Sequence, residues 1–140
     1  MAMKFAARTT ELIDSPIGAA FAMLDHRVND RPLLDLSQAA PGYSPAAVVA
    51  DRIVEAAREP ITSRYTPAAG LDELRQEFAT DLRHSYASST ITATDVTITA
   101  GCNQAFCATI NALAEPGDSI LLATPFYFNH EMWLQAEGID

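Results

Sequence analysis

Lysine is almost absent from this chain, and basic residues never form a run. Nine lysines and arginines stand against eighteen aspartates and glutamates in 140 residues, which gives a net charge of −9. The only lysine is Lys4. Proteins that bind nucleic acid or anionic membranes need clustered lysine and arginine side chains. Neither nucleic acid nor a membrane is therefore expected as a partner.

Long apolar runs and paired cysteines are missing as well. No stretch approaches the roughly 20 apolar residues that span a bilayer, and no signal-peptide cleavage pattern is present. Cys102 and Cys107 lie on one predicted helix, where their side chains point in different directions and should not form a disulfide. Neither cysteine has partners spaced as in a zinc site, so no metal site is predicted. These features favour a reduced, cytoplasmic protein.

The composition that remains is that of a folded domain, with 49% hydrophobic and 19% charged residues. Apolar side chains at helical spacing predict helices that begin near Ser15, near Ser44 and at Leu71. We expect a domain boundary near Pro60. Residues 1–60 would form an N-terminal arm and part of a small α-rich region, and residues 61–140 the first, incomplete part of a larger α/β domain.

The most informative stretch lies between Val96 and His130. It reads as a strand over Val96–Ala100, a turn at Gly101, a helix, a second strand over Ile120–Ala123 and an aromatic loop. A helix that starts at a glycine turn after a strand presents free N–H groups and the positive end of its dipole, which favours a bound phosphate. A single glycine turn is a weak signal, however, because any strand-to-helix turn can use glycine. The phosphate-binding and the purely structural interpretations both stay open on spacing alone.

The aromatic loop Phe126–His130 follows the second strand, where ligands bind in open α/β sheets. Tyr127 could stack on a flat ring. We interpret Phe126 and Phe128 as core residues. For His130, a packing role and a hydrogen-bonding role below such a ring are both open, and packing is favoured.

Three segments, taken in order, resemble the class I/II aminotransferases, the pyridoxal-phosphate enzymes of fold type I. They are Tyr65–Arg75 (YTPAAGLDELR), Val96–Ala105 (VTITAGCNQA) and Glu115–Tyr127 (EPGDSILLATPFY). The resemblance covers roughly Leu33–Asp140. It implies pyridoxal 5'-phosphate as cofactor, an amino acid and a 2-oxo acid as substrates, and a homodimer.

The resemblance also implies an α/β fold. The chain would hold the start of a three-layer α/β/α domain with a mixed, mostly parallel sheet, preceded by an N-terminal arm and a small α-rich region. Sequence spacing would make the two strands neighbours joined by a right-handed crossover. The family instead separates them within the sheet, and we adopt the family's order because spacing does not determine strand order.

Roles follow at the positions that match the family. The resemblance implies that Gly101, Cys102 and Asn103 hold the cofactor phosphate and that Tyr127 stacks on its pyridine ring. It implies that Tyr65 reaches across a dimer interface to the phosphate of the neighbouring subunit's cofactor. His130 falls where some members place a histidine behind the ring.

Two further positions match the family's substrate contact. Ala39 and Ala40 fall beside the substrate carboxylate, and Ala39 occupies a position that is usually glycine. This departure either removes the expected contact with the substrate or restricts which substrates fit.

The lysine that the family links to its cofactor has no counterpart, since Lys4 precedes every element of the sheet. We therefore assign no catalytic residue and expect these residues to be part of a longer enzyme, inactive as a segment alone. Two alternatives remain. One is a carbon–sulfur β-lyase of the same fold, and the other is a non-catalytic remnant or regulatory domain.

Overall fold

The computed structural model describes residues 3–36 and 38–140, which form helices joined by extended segments. The α-helices are α1 Ala7–Thr10, α2 Pro16–Ala22, α3 Ala47–Arg58, α4 Asp72–Ser85, α5 Cys102–Leu113 and α6 Phe128–Glu137. Short 3₁₀ helices lie at Met23–His26, Pro60–Ser63 and Ala93–Asp95. Within the described ranges, no helix has both the length and the apolarity to cross a membrane.

The predicted helix starts are confirmed to within a few residues. Ser15 precedes α2 and its hydroxyl accepts a hydrogen bond from the Ile17 N–H at 3.4 Å, with Pro16 at the first helical position. The α4 helix begins at Asp72, one residue after the predicted start. Acidic residues occupy its first turn and basic residues its last, as the helix dipole favours.

Neither expected strand forms a β-ladder in the part of the chain that the structure describes. Val96 is extended, with φ −113° and ψ 128°, and the Ile98 N–H donates to the Ala69 carbonyl at 2.9 Å. The Ile120 N–H donates to the Asp140 backbone carbonyl at 2.6 Å, and the Asp140 N–H donates to the Asp118 backbone carbonyl at 2.8 Å. These two bonds have the pattern of a single parallel pairing.

A strand exists only with a partner that continues the ladder along its length. Both segments are rich in β-forming residues, but they lack such partners among the described residues. The sheet of the three-layer domain implied by the resemblance is therefore not seen here, and the secondary structure of the described residues is helical.

The described residues group into two compact units, one of Met1–Gln38 with Ala100–Asp140 and the other of Ala39–Thr99. In the first unit, Ile110, Leu134 and Ile139 are buried between α5 and α6. Ile120 and Leu122 pack against this core, whereas Leu121 between them is 99% exposed. The run 120–123 is thus covered on one face by this core, whereas a strand inside a three-layer domain is covered on both faces.

The second unit has α4 at its centre, with Ala79 and Val96 buried. The 3₁₀ turn ahead of Val96 is held by a capping box, in which the Asp95 carboxylate accepts from the Thr92 hydroxyl and from the Thr92 N–H, each at 2.8 Å. These bonds, the side-chain bond first, lower the pKa of Asp95 below its ordinary value of 3.8. The assignment of residues 1–60 and 61–140 to two domains of a longer enzyme stays a prediction.

Candidate cofactor site

The turn at Gly101 leads directly into α5 and is open to solvent. Gly101 has φ 87° and ψ 169°, a conformation that is essentially restricted to glycine. A Cβ atom built at this residue would meet nothing within 4 Å. No side chain caps α5, and both Cys102 and Asn103 are exposed. An anion can therefore approach the start of this 12-residue helix, whose first N–H groups have no partner within the helix.

Gln104 holds this turn in place, a role that the sequence analysis missed. Its Oε1 accepts a hydrogen bond from the Ala100 N–H. Gln104 is the third residue of α5, and glutamine at this position typically reaches back to the backbone ahead of the helix. That known preference was the signal in the sequence.

Tyr127 immediately precedes α6, and its ring is 47% exposed. The ring meets Phe128 edge-on at a centroid distance of 4.9 Å and His130 at 5.7 Å. The Asn129 amide Nδ2 donates to the Tyr127 hydroxyl at 2.9 Å. Its neighbours thus restrain the tyrosine on two sides, while much of its ring stays available for contact.

His130 stacks on Phe106 of α5, with ring centroids 4.0 Å apart and planes inclined by 15°. The first turn of α6 is thereby joined to the early part of α5. The prediction that Phe126–His130 is a loop was wrong in part, because α6 begins at Phe128. An aromatic run alone does not show that its backbone is helical.

The structure groups Gly101, Cys102, Asn103 and Tyr127 in one unit and Ala39, Ala40 and Tyr65 in the other. Tyr65 is fully exposed, and its neighbours Arg64 and Thr66 are exposed as well. Ala39 and Ala40 are exposed as well. Nothing in the described residues tests their predicted contact with a substrate.

A cavity of about 580 Å³ lies among α1, α5 and α6. Its mostly apolar lining includes Phe106, Met132 and Trp133, and the buried Trp133 indole N–H has no hydrogen-bond partner among the described residues. Asn103 contributes to this lining, but Gly101, Cys102 and Tyr127 do not. The cavity therefore shares one residue, Asn103, with the predicted phosphate turn.

A comparison with protein families decides the family. The model of "Aminotransferase class I and II" matches residues 31–140. The chain belongs to this family. Class I and II aminotransferases depend on pyridoxal phosphate, which agrees with the cofactor implied by the sequence.

Individual aminotransferases show the same relationship. An aromatic aminotransferase of Arabidopsis thaliana is 32% identical over 133 residues, which cover 95% of this chain and 32% of the plant protein. An aspartate aminotransferase of Streptomyces avermitilis is 28% identical, over 77% of this chain and 26% of that protein. A methionine aminotransferase of Escherichia coli is 25% identical, over 84% of this chain and 30% of that protein. The chain thus spans about a third or less of these aminotransferases.

The residues at the α5 turn fit the phosphate of this family's cofactor. The turn leaves room beside Gly101, and the first N–H groups of α5, at the exposed residues Cys102 and Asn103, are of the kind that donate to an anion. No lysine or arginine follows Arg83 in the sequence. Within residues 84–140, the compensation of phosphate charge would therefore come from helix amides and the helix dipole.

Proposed function

We propose that this chain is the N-terminal portion of a pyridoxal-phosphate-dependent aminotransferase that moves an amino group from an amino acid to a 2-oxo acid. The observation that carries the proposal is the open glycine turn at the start of α5. It combines a glycine-only backbone conformation, free space for a Cβ atom at Gly101, exposed residues Cys102 and Asn103, and a helix start without a side-chain cap. Residues that only packed a strand against a helix would need no such opening.

In this proposal the segment binds and orients the cofactor. The amides of Cys102 and Asn103 hold the phosphate, and Tyr127 lies against the pyridine ring, with the Tyr127 side chain restrained by Asn129 and His130. Ala39 and Ala40 border the substrate carboxylate. The bound cofactor supplies an aldehyde that exchanges amino groups and a ring that accepts electrons from the substrate's α-carbon.

Proton transfer is assigned to residues outside this segment. Lys4 is the single lysine of the 140 residues, and it lies near the N-terminus, before the first helix. An amine that links to the cofactor and moves a proton must reach the ring. We therefore propose that the segment alone is inactive and that Tyr65 serves a homodimer, by contacting the neighbouring subunit's cofactor.

Intact mass and borohydride reduction of the natural protein test this function. We expect a chain well above the 15.1 kDa of these residues, carrying a covalent cofactor adduct after reduction. A natural chain of about 15 kDa without an adduct would instead support the non-catalytic remnant.

The reaction class needs a second assay with the complete enzyme. Incubation with an amino acid and a 2-oxo acid should produce a new amino acid and a new 2-oxo acid. Release of ammonia and pyruvate without a new amino acid would contradict transamination and favour the β-lyase. The homodimer can be checked from the molar mass in solution, and the cytoplasmic compartment stays a prediction.

A further inference from the structure

Gly70, in the loop that follows Tyr65, packs directly against Ile98, in the segment ahead of α5. A Cβ atom at Gly70 would lie 2.7 Å from both Cβ and Cγ1 of Ile98, and Gly70 has φ 97°. Real Cβ atoms do not approach other atoms this closely, so any side chain at residue 70 would displace the loop or the segment. Glycine is needed here for both space and conformation.

Backbone hydrogen bonds secure the same contact. The Ile98 N–H donates to the Ala69 carbonyl at 2.9 Å, and the Gly70 N–H donates to the Pro67 carbonyl at 2.9 Å. The first bond attaches the loop to the segment, and the second closes a turn within the loop. Together they hold the path of the chain from Pro67 to Gly70, just ahead of α4.

Arg75, in the first turn of α4, clamps that segment from the helix side. Its Nε donates to the Val96 carbonyl at 2.8 Å and its Nη2 to the Ala93 carbonyl at 2.6 Å. Its side chain is only 16% exposed, and its Nη1 forms a salt bridge with the Asp72 carboxylate at 3.1 Å. A partly buried guanidinium with two carbonyl partners holds a fixed geometry that a single amine cannot reproduce.

Tyr65 lies five residues before Gly70 and, unlike Gly70 and Arg75, makes no such packing contact with the described part of the chain. Its side chain is fully exposed, and it makes no hydrogen bond or ring contact that the described residues record. A tyrosine on a secured loop reaches a partner with a smaller loss of conformational entropy than one on a free loop.

We propose that Gly70 and Arg75 are positioning residues for Tyr65. They secure the loop to the segment 93–98, so that the Tyr65 hydroxyl is presented ready to bind phosphate. This inference rests on the proposed function, because it takes the phosphate of the neighbouring subunit's cofactor as the ligand of Tyr65.

The test measures cofactor dissociation constants of the complete enzyme by absorbance titration with pyridoxal 5'-phosphate. Tyr65→Phe should weaken binding about tenfold or more, as expected for the loss of a hydrogen bond to a charged group. Gly70→Ala should weaken binding by a similar factor. In the Tyr65→Phe background, Gly70→Ala should add less than about threefold, since residues that act through one another are not additive.

Gly117→Ala is the matched control. Gly117 also has a positive φ, 94°, but a Cβ atom there would meet nothing within 4 Å. This variant introduces backbone strain without a clash and should leave the dissociation constant within about twofold of the wild type. A second readout is hydrogen exchange at the Ile98 amide, which should accelerate in Gly70→Ala and stay unchanged in Gly117→Ala.

Arg75→Lys gives the proposal a second variant if Gly70→Ala does not fold. It should weaken binding at least threefold in the wild-type background and much less in the Tyr65→Phe background.

The inference alone is overturned if Tyr65→Phe weakens binding while Gly70→Ala and Arg75→Lys do not, or if their effects multiply with that of Tyr65→Phe. If the wild type does not bind the cofactor, the proposed function fails. If only Tyr65→Phe is without effect, the assigned role of Tyr65 fails, and the positioning proposal fails with it.

Discussion

The imidazole of His130 lies almost flat on the phenyl ring of Phe106, with centroids 4.0 Å apart. His130 also supports the edge of Tyr127, the proposed ring-stacking residue, at a centroid distance of 5.7 Å. A residue of α5 therefore supports the tyrosine ahead of α6 through one intermediate ring. The proposed phosphate turn and the proposed ring-stacking tyrosine therefore depend on the same pair of helices.

Phe106→Ala should destabilise the complete enzyme by about 2–3 kcal/mol, below the roughly 3–5 kcal/mol of a fully buried phenylalanine, because Phe106 is only partly buried. It should also weaken cofactor binding, since Tyr127 loses its support. Urea unfolding and cofactor titration measure the two effects. Phe106→Leu is the control, because it keeps apolar volume without a ring. Equal cofactor affinity in wild type and Phe106→Ala would contradict the supporting role.

Gly101→Ala should weaken cofactor binding at least tenfold and destabilise the fold by about 1–3 kcal/mol, the range for a residue held in a sparsely populated conformation. The reason is backbone strain alone, since no atom lies within 4 Å of the added methyl group. Gly42→Ala is the control, because Gly42 has neither a positive φ nor a close neighbour. A Gly101→Ala variant with unchanged affinity would argue against phosphate binding at this turn.

Arg75→Lys should destabilise the protein by about 1–3 kcal/mol, because lysine cannot keep both carbonyl bonds of the guanidinium. Arg52→Lys is matched in chemistry but changes an arginine that is 64% exposed and pairs with Glu55 and Glu59 on the surface. Its effect should stay within about 0.5 kcal/mol. Similar losses for both variants in chemical denaturation would show that the Arg75 clamp adds nothing.

Asp95→Asn should change how stability depends on pH. The pKa of Asp95 is lowered in the folded chain, so the carboxylate contributes stability above its unfolded pKa, near pH 4. That contribution is lost as the pH falls through the folded-state pKa. The variant should thus be less stable than wild type at pH 7, with a difference that shrinks below about pH 4. Unfolding at several pH values measures this, with Asp51→Asn on α3 as the control. A gap that is constant with pH would contradict the sign.

Leu121→Ala tests whether the longer enzyme completes the sheet. Leu121 is 99% exposed in this chain, where a truncation should change stability by no more than about 0.5 kcal/mol. If further strands and helices cover the run 120–123, the same change should destabilise the complete enzyme by about 2–5 kcal/mol. Its Leu121 and Ala123 amides should also be protected from hydrogen exchange. Fast exchange with a negligible loss of stability would argue against a sheet at this place.

Local signals predicted several parts of this structure well. The start of α2 follows from Ser15 and Pro16, and the start of α5 follows from Gly101, because capping residues and glycine act on the backbone within a few residues. The family was also recognisable from ordered motifs, and the match over residues 31–140 confirms it. The start of α6 at Phe128 falls within the predicted aromatic loop, since aromatic side chains carry little helix information.

Long-range contacts account for what the sequence did not indicate. Nothing near Phe106 in the sequence points to His130, and nothing near Gly70 points to Ile98, because each pair meets only when distant segments pack. The strands failed to appear for the same reason, as extended β-branched residues need partners that the described residues do not supply.

Short stretches of this chain were enough to predict the starts of α2, α4 and α5 and the glycine turn, because these depend on neighbours within a few residues, and the order of three such stretches indicated the family. Which rings stack, which carbonyls Arg75 holds and which face of residues 120–123 stays exposed were decided by the packing of segments far apart in the chain. Such contacts depend on three-dimensional distance, and sequence separation does not encode it.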